Sequence, residues 1–155
     1  MAKPSYSIDS SSLVHGFRRI YRPKNFGSVW KQMDGLIEEG RLRASIEVYN
    51  EIKRKDDELF EWCKERKEKL FDEIDDETQE VVTELMAKYP RLVDTTTGRS
   101  GGDPFVIARA AIGEPKLIVV TEEYTGKVRI PHVCDGEGIE WCRLADMIEK
   151  EGWDI

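Results

Sequence analysis

One apolar run in the last third of the chain constrains the fold most strongly. The run Lys116-Leu-Ile-Val-Val-Thr121 is continuously apolar between its end residues and is rich in β-branched side chains. A strand without polar alternation is typical of a parallel sheet that helices cover on both faces. The run therefore predicts a buried strand in a parallel sheet.

Shorter segments are predicted to join this strand. Ser5–Asp9 alternates like a strand, and Arg41–Ile46 follows the helix-stopping Gly40. A last edge strand is predicted around Val128, Ile130 and Val133, because a proline such as the intervening Pro131 is tolerated at a sheet edge. Strands interleaved with helices predict a three-layer α/β/α sandwich with a central, mainly parallel sheet of four or five strands.

Helical periodicity fills most of the remaining chain. The predicted helical segments follow Ser10, run from Phe26 to Gly40, form two or three helices between Val48 and Tyr89 with a capping box at Asp76 and Gln79, and close the chain from Trp141 to Gly152. One further helix is predicted with Asp103 as N-cap, Pro104 at its first position and Gly113 as its end. Residues 1–155 are interpreted as a single domain with a helical insertion at about residues 56–90.

Composition excludes several classes of protein. The 24 basic and 31 acidic side chains give a net charge of −7, which disfavours a protein that coats nucleic acid with a basic surface but not one that cuts it. No apolar run approaches the roughly 20 residues of a membrane span, and the first residues do not resemble a secretory signal, so we expect a cytoplasmic protein. Three cysteines without a CxxC pair disfavour a disulfide framework, and we expect them to be buried.

Several catalytic motifs are missing from the sequence. The phosphate-binding GxxxxGK[ST], the nucleophile motif GxSxG and the zinc motif HExxH do not occur. His15 and His132 have no neighbours that support an acid–base pair, and the spacing of His132, Cys134 and Cys142 matches no common zinc site. Acidic residues are the remaining candidates for chemistry.

Acidic side chains follow the predicted strands, at the edge where open parallel sheets bind ligands. Asp9 ends the first strand, Glu123 follows the apolar run, and Asp103 starts the helix that leads into that run. Glu47 and Glu51 lie one helical turn apart after the second strand. Gathered carboxylates repel one another unless a cation lies among them, and Mg²⁺ or Mn²⁺ prefers oxygen ligands. Taken singly, each acid is better explained as a cap, a turn residue or a solvent-facing side chain, and only their joint placement favours a metal site, so both interpretations stay open.

Four segments in order also resemble the motifs of PIN-domain nucleases, the fold of VapC-like toxins. These are Ile8-Asp-Ser-Ser-Ser-Leu13, Ile46-Glu-Val-Tyr-Asn-Glu-Ile52, Ser100-Gly-Gly-Asp-Pro-Phe-Val-Ile-Ala108 and Val119-Val-Thr-Glu-Glu123. The segment from Asp103 to Ala108, with Ile130-Pro-His-Val-Cys134 downstream, resembles one PIN-like branch catalogued as being of unknown function.

The resemblance implies site residues position by position. It implies the metal-binding catalytic acids Asp9, Glu51, Asp103 and Glu123, with Glu47 and Glu122 as alternates and Ser11 and Thr121 as supporting hydroxyls. The fourth acid is Glu where most of the wider family has Asp, so this carboxylate reaches one methylene further. Arg99, Arg18 and Arg43 are the implied phosphate contacts of the substrate.

The activity implied by the resemblance is Mg²⁺- or Mn²⁺-dependent hydrolysis of RNA by the toxin of a toxin–antitoxin module. The implied partner is a DNA-binding helix-turn-helix antitoxin, and a homodimer is expected because PIN relatives commonly dimerise. A different hypothesis is a non-catalytic PIN-like module that binds RNA or a protein.

Overall fold

A computed structural model of the protein describes residues 3–93, 102–125 and 129–155. These residues form a five-stranded sheet in which each paired strand runs parallel to its neighbour. The strands are β1 (Tyr6–Ile8), β2 (Leu42–Ser45), β3 (Phe71–Asp72), β4 (Ile118–Val120) and β5 (Trp141–Cys142). The predicted α/β sandwich with a parallel central sheet is confirmed.

The strand order determines where the site lies. Across the sheet the order is β3-β2-β1-β4-β5, so the direction in which the chain winds reverses at β1. Ile8 at the end of β1 is in register with Val120 at the end of β4, and the Asp9 amide donates to the Val120 carbonyl at 2.9 Å. The residues that directly follow β1 and β4 therefore emerge side by side at the carboxyl edge of the sheet.

Helices flank this sheet. Those in the described ranges are α1 (Ser10–His15), a π-helix (Gly16–Ile20), α2 (Gly27–Glu38), α3 (Ile46–Lys53), α4 (Glu58–Glu65), α5 (Lys67–Leu70), α6 (Asp76–Lys88), α7 (Asp103–Ala111), α8 (Ile130–Glu137) and α9 (Leu144–Lys150). Every residue of β1 and β4 is buried, as expected for central strands covered by helices. None of the helices described has the length and apolar character needed to cross a membrane.

Two predicted elements are wrong near the C-terminus. Ile130 and Val133 belong to helix α8 and not to an edge strand, because Pro131 occupies the first turn of a helix, where its missing N–H has no cost. Val128 lies outside the described residues. The edge strand is β5, so the closing helix begins at Leu144 and not at Trp141.

The charge-rich middle of the chain also differs from its prediction. Strand β3 interrupts the helices there, so the segment at about residues 56–90, predicted as a helical insertion, contributes an edge strand to the sheet. Helix α6 is capped by Asp75, one residue before the predicted capping box, and Asp75 Oδ1 accepts from the Thr78 amide at 2.8 Å.

The three cysteines are buried and free, as predicted. Cys63 lies in α4, Cys134 in α8 and Cys142 in β5. Burial raises the pKa of each thiol to about 12. The thiols therefore stay protonated near neutral pH and pack as small apolar groups.

Candidate metal centre

Three carboxylates converge at the point where the sheet reverses its winding. Asp9 follows β1, Glu123 lies three residues beyond β4, and Asp103 opens α7, which packs on both strands. Oxygen atoms of these three side chains all lie within 4.8 Å of one another. Asp9 and Asp103 are only 2% and 3% exposed. Because an open parallel sheet binds its ligands at this position, the geometry marks a candidate site.

Asp9 is held by donors on both of its carboxylate oxygens. Oδ1 accepts from the Ser10 amide at 2.8 Å, and Oδ2 accepts from Ser11 Oγ at 2.7 Å and from Thr121 Oγ1 at 3.0 Å. Burial raises the pKa of Asp9 to about 7, the Ser11 hydrogen bond opposes this shift, and the negative charge of Glu123 adds to it. The carboxylate is thus fixed in orientation while its charge is disfavoured.

Ser11 and Thr121 both hydrogen-bond to the Asp9 carboxylate. Each donates to Asp9 and also accepts a backbone amide after β4: Ser11 Oγ from Glu122 at 3.0 Å, and Thr121 Oγ1 from Glu123 at 3.1 Å. The two hydroxyls therefore tie the segment after β1 to the segment after β4.

Asp103 is the first residue of α7, whereas the sequence predicted it as the N-cap. The cap position is Gly102, which has no side chain with which to cap the helix. The Asp103 carboxylate is therefore directed to the other acids instead of to its own backbone. Its Oδ2 is buried and has no hydrogen-bond partner among the described residues. Burial, followed by the charges of Asp9 and Glu123, raises the pKa of Asp103 to about 10.

This donor set fits a hard divalent cation. A buried carboxylate oxygen without a donor is costly unless a proton or a cation satisfies it. Three carboxylates that repel one another within 4.8 Å lose that repulsion when a cation binds between them. Mg²⁺ and Mn²⁺ both take carboxylate oxygens as ligands.

Glu51 lies next to the acid cluster, whereas Glu47, one helical turn earlier in α3, makes a hydrogen bond through its backbone. In α3, Glu51 Oε2 accepts from Ser10 Oγ at 2.7 Å, while Oε1 is buried without a hydrogen-bond partner among the described residues. Glu51 also raises the pKa of Asp9 through its charge. Glu47 lies in the first turn of α3, where its backbone amide donates to Ser45 Oγ at 3.2 Å. Glu51 is thus next to the cluster but outside the 4.8 Å group of three.

Glu122 and Glu123 point to different parts of the protein. Glu122 Oε2 accepts from the Leu144 amide at 2.8 Å, at the start of α9, so this side chain caps a helix. Glu123 joins the acid cluster, and its Oε1 accepts from the Ile130 amide at 3.0 Å, at the start of α8. The carboxylate of the alternate residue Glu122 is therefore already hydrogen-bonded at the start of α9.

Almost the whole sequence matches one known family. Residues 6–155 match the family described as Domain of unknown function (DUF4411). The chain belongs to the DUF4411 family. No curated protein matches the DUF4411 chain.

A solved structure has a similar fold. It is the DNA-bound VapBC from Salmonella typhimurium, with 16% sequence identity and a TM-score of 0.56. The match covers 91% of the present chain and 98% of the matched chain in that structure. At this identity the likeness concerns the fold, and it supports the PIN-like architecture expected from the four sequence motifs.

Sequence reasoning missed Arg143, which braces the DUF4411 site from the end of strand β5. Its Nη1 donates to the Thr121 carbonyl at 3.0 Å and also to the Glu123 carbonyl, and its guanidinium lies 5.0 Å from the centre of the Trp141 ring. The Thr121 amide in turn donates to the Cys142 carbonyl at 3.0 Å. No motif identifies Arg143, because only the pairing of β4 with β5 brings it to this backbone.

The arginines expected to contact substrate lie in different surroundings. Arg18 Nη2 lies 2.6 Å from Asp57 Oδ2. The Arg43 guanidinium is engaged by Asp72, which also lies 2.6 Å from Arg109 Nε. Arg99 lies outside the described residues. Of this set, Arg43 is therefore tied into a network of ion pairs.

Proposed function

We propose that the protein is a divalent-metal-dependent endoribonuclease and the toxin of a toxin–antitoxin module. The observation that carries the proposal is the convergence of Asp9, Asp103 and Glu123 within 4.8 Å at the reversal point of the sheet. Within the described ranges, one buried oxygen of Asp103 and one of Glu51 have no hydrogen-bond partner, and a cation or an ordered water would satisfy these acceptors. The PIN-like fold supports the same reaction class.

In this proposal Asp9, Asp103 and Glu123 would hold the Mg²⁺ or Mn²⁺ ion. When bound, such an ion would make an attacking water more acidic and would stabilise negative charge on the phosphodiester. Ser11 and Thr121 keep the Asp9 carboxylate in one orientation through their hydrogen bonds to Oδ2. Neither a histidine nor a serine nucleophile is required.

Glu51 is assigned to the attacking water. Ser10 fixes Oε2 of this side chain at 2.7 Å, which leaves Oε1 as the acceptor directed away from that bond. An acceptor at this position can orient a water molecule and receive its proton. Glu123 has one methylene more than an aspartate, and the Ile130 amide restricts this longer side chain by donating to its Oε1 at 3.0 Å.

The proposal extends to a partner. The similar solved structure is a VapBC complex bound to DNA. By analogy we infer a DNA-binding helix-turn-helix antitoxin that holds this protein inactive, with RNA as the substrate once the antitoxin is removed. A cytoplasmic location and a homodimer belong to the same proposal.

Incubation of the purified protein with total RNA tests the reaction. We expect cleavage with Mn²⁺ and none with EDTA. The variant Asp9→Asn should not cleave, because it lacks a charged ligand, whereas the matched control Asp154→Asn, at an exposed position near the C-terminus, should cleave like the wild type. Cleavage by a folded Asp9→Asn protein at the wild-type rate would show that the site assignment is wrong.

Calorimetry separates this proposal from a non-catalytic PIN-like module. Under the nuclease proposal, Asp103→Asn and Glu123→Gln each abolish Mn²⁺ binding. If the wild type gives no Mn²⁺ binding that depends on these two residues, the non-catalytic module is the better explanation.

A further inference from the structure

The basic residues of this acidic protein are unevenly distributed. The segment from Ser10 to Met33 contains no Asp or Glu, although the whole chain has a net charge of −7. The same segment contains Arg18, Arg19, Arg22, Lys24 and Lys31. It follows directly after Asp9, so the chain places local positive charge next to the acid cluster.

Three of these cations line one cavity. A cavity of about 490 Å³ lies between the π-helix and the start of α4, with Arg18, Arg22 and Lys24 on its wall and Phe17 and Leu59 among its apolar lining. Two acids, Asp57 and Glu58, also line it. Asp57 is already engaged, because it pairs with Arg18 and its Oδ1 accepts from the Phe60 amide at 3.2 Å. We call these lining residues the basic cavity.

The cations of the basic cavity retain unused donors. Arg18 Nε is buried without a hydrogen-bond partner among the described residues. Among the described residues neither Arg22 nor Lys24 has an ion-pair partner, and both side chains are exposed. Arg22 instead donates from Nε to the Arg18 carbonyl at 3.0 Å, which holds its guanidinium beside the cavity. An anionic ligand would find donors that the protein leaves unsatisfied.

The basic cavity and the acid cluster lie on one seam between two helical runs. One run is α1 with the π-helix, and the other is α3 followed by α4. Ser10 Oγ meets Glu51 Oε2 at 2.7 Å at one end of the seam, and Arg18 Nη2 meets Asp57 Oδ2 at 2.6 Å at the other. Arg18 comes nine positions after Asp9, so at the α-helical rise of roughly 1.5 Å per residue the two lie at most about 14 Å apart along the axis.

We propose that the basic cavity binds the phosphates of a single RNA strand on one side of the cleaved bond. This inference rests on the proposed ribonuclease function, because it takes its substrate from that proposal. Arginine presents a fork of donors that matches phosphate geometry, and lysine adds a point charge. Phe17 and the fully buried Leu59 line the cavity, and the 9% of Phe17 that is exposed gives a sugar or base an apolar surface to pack against. The shared seam favours RNA over an acidic protein segment, since the strand must also reach the acid cluster.

Fluorescence anisotropy of a labelled single-stranded RNA tests this proposal. Full-length Asp9→Asn protein in EDTA serves as the parent, so that binding is measured without cleavage. Arg22→Ala with Lys24→Ala should weaken binding and make the slope of log affinity against log salt shallower by about 1.4, or about 0.7 for each phosphate that the protein no longer neutralises. The control Lys88→Ala with Lys150→Ala removes the same charge from two exposed sites that pair with Glu137 and Glu140, and it should bind like the parent.

The outcomes separate this inference from the proposed function. Unchanged affinity and slope in the Arg22 and Lys24 double variant overturn the basic cavity, even when the wild type cleaves RNA with Mn²⁺. A reduced slope in that variant, with no cleavage by the wild type, supports the cavity and contradicts the nuclease. If binding of a poly-glutamate peptide depends on Arg22 and Lys24 while binding of RNA does not, the cavity is assigned to a protein partner and the proposal is overturned.

Discussion

The buried carboxyl group of Asp103 should make the metal-free protein less stable than a neutral isostere would. This side chain is 3% exposed, and its Oδ2 has no hydrogen-bond partner among the described residues. Burial and the charges of Asp9 and Glu123 raise its pKa to about 10. The substitution Asp103→Asn keeps the shape of the side chain and removes its ionisation.

The size of the effect follows from the shifted pKa. At pH 7 the folded metal-free protein retains the Asp103 proton, whereas the unfolded chain, with a pKa near 3.8, has released it. Holding a proton about three pH units above the unfolded pKa costs about 4 kcal/mol, at about 1.4 kcal/mol per unit. Asp103→Asn avoids this cost, so we expect up to about 4 kcal/mol of added stability and a melting temperature higher by roughly 10 °C.

Thermal unfolding followed by circular dichroism measures the difference. The wild type, Asp103→Asn and the exposed control Asp154→Asn are compared at pH 7 in EDTA and again with Mn²⁺. We expect Asp103→Asn to melt above the wild type in EDTA, and only the wild type and the control to gain stability from Mn²⁺. A folded Asp103→Asn protein that melts at or below the wild-type temperature in EDTA would refute the reasoning from buried charge.

Three further predictions concern the same region and its supports. Because the folded pKa values of Asp9 and Asp103 lie above 3.8, their stabilising contribution is complete below about pH 4. It declines as pH rises toward about 7 for Asp9 and toward about 10 for Asp103. The stability advantage of an Asp9→Asn, Asp103→Asn double variant over metal-free wild type should therefore grow from pH 4 to pH 8 in urea denaturation, and a constant difference would contradict this. Arg143→Ala should weaken Mn²⁺ binding in calorimetry by releasing the Thr121 and Glu123 carbonyls, with partial recovery in Arg143→Lys; equal affinities in all three proteins would show that the brace is dispensable. Asp72→Asn should lower the free energy of unfolding by about 1–2 kcal/mol, because Arg43 and Arg109 both lose their charged partner. Urea denaturation at pH 7 measures this difference, and a midpoint equal to that of the wild type would contradict it.

Local patterns of apolar and acidic residues made much of the fold predictable from the sequence. The apolar run before Thr121 is typical of a strand covered on both faces, and the placement of Asp9 and Glu123 follows from it because parallel strands end at one edge. Tertiary contacts decide what periodicity leaves open. Glu47 and Glu51 are equivalent by spacing, whereas in the structure Glu51 contacts Ser10 next to the acid cluster.

The errors have local causes. Strand β3 is two residues long within charge-rich helical sequence, so its pattern is too short to interrupt a helical period. Pro131 is compatible with an edge strand and with the first turn of a helix, and the chain uses the second. Arg143 was missed because its role depends on a strand pairing that no local pattern encodes.

The buried thiols give this protein internal reporters of local opening. A buried thiol with a pKa near 12 reacts with an alkylating reagent only when its surroundings open. Cys63, Cys134 and Cys142 lie in α4, α8 and β5, so their labelling rates report three separate regions. The backbone carbonyl of Cys142 accepts a hydrogen bond from the Thr121 amide. The rate at which the Cys142 thiol is labelled, with and without Mn²⁺, would therefore report local opening beside the segment that carries Glu123, without any engineered probe.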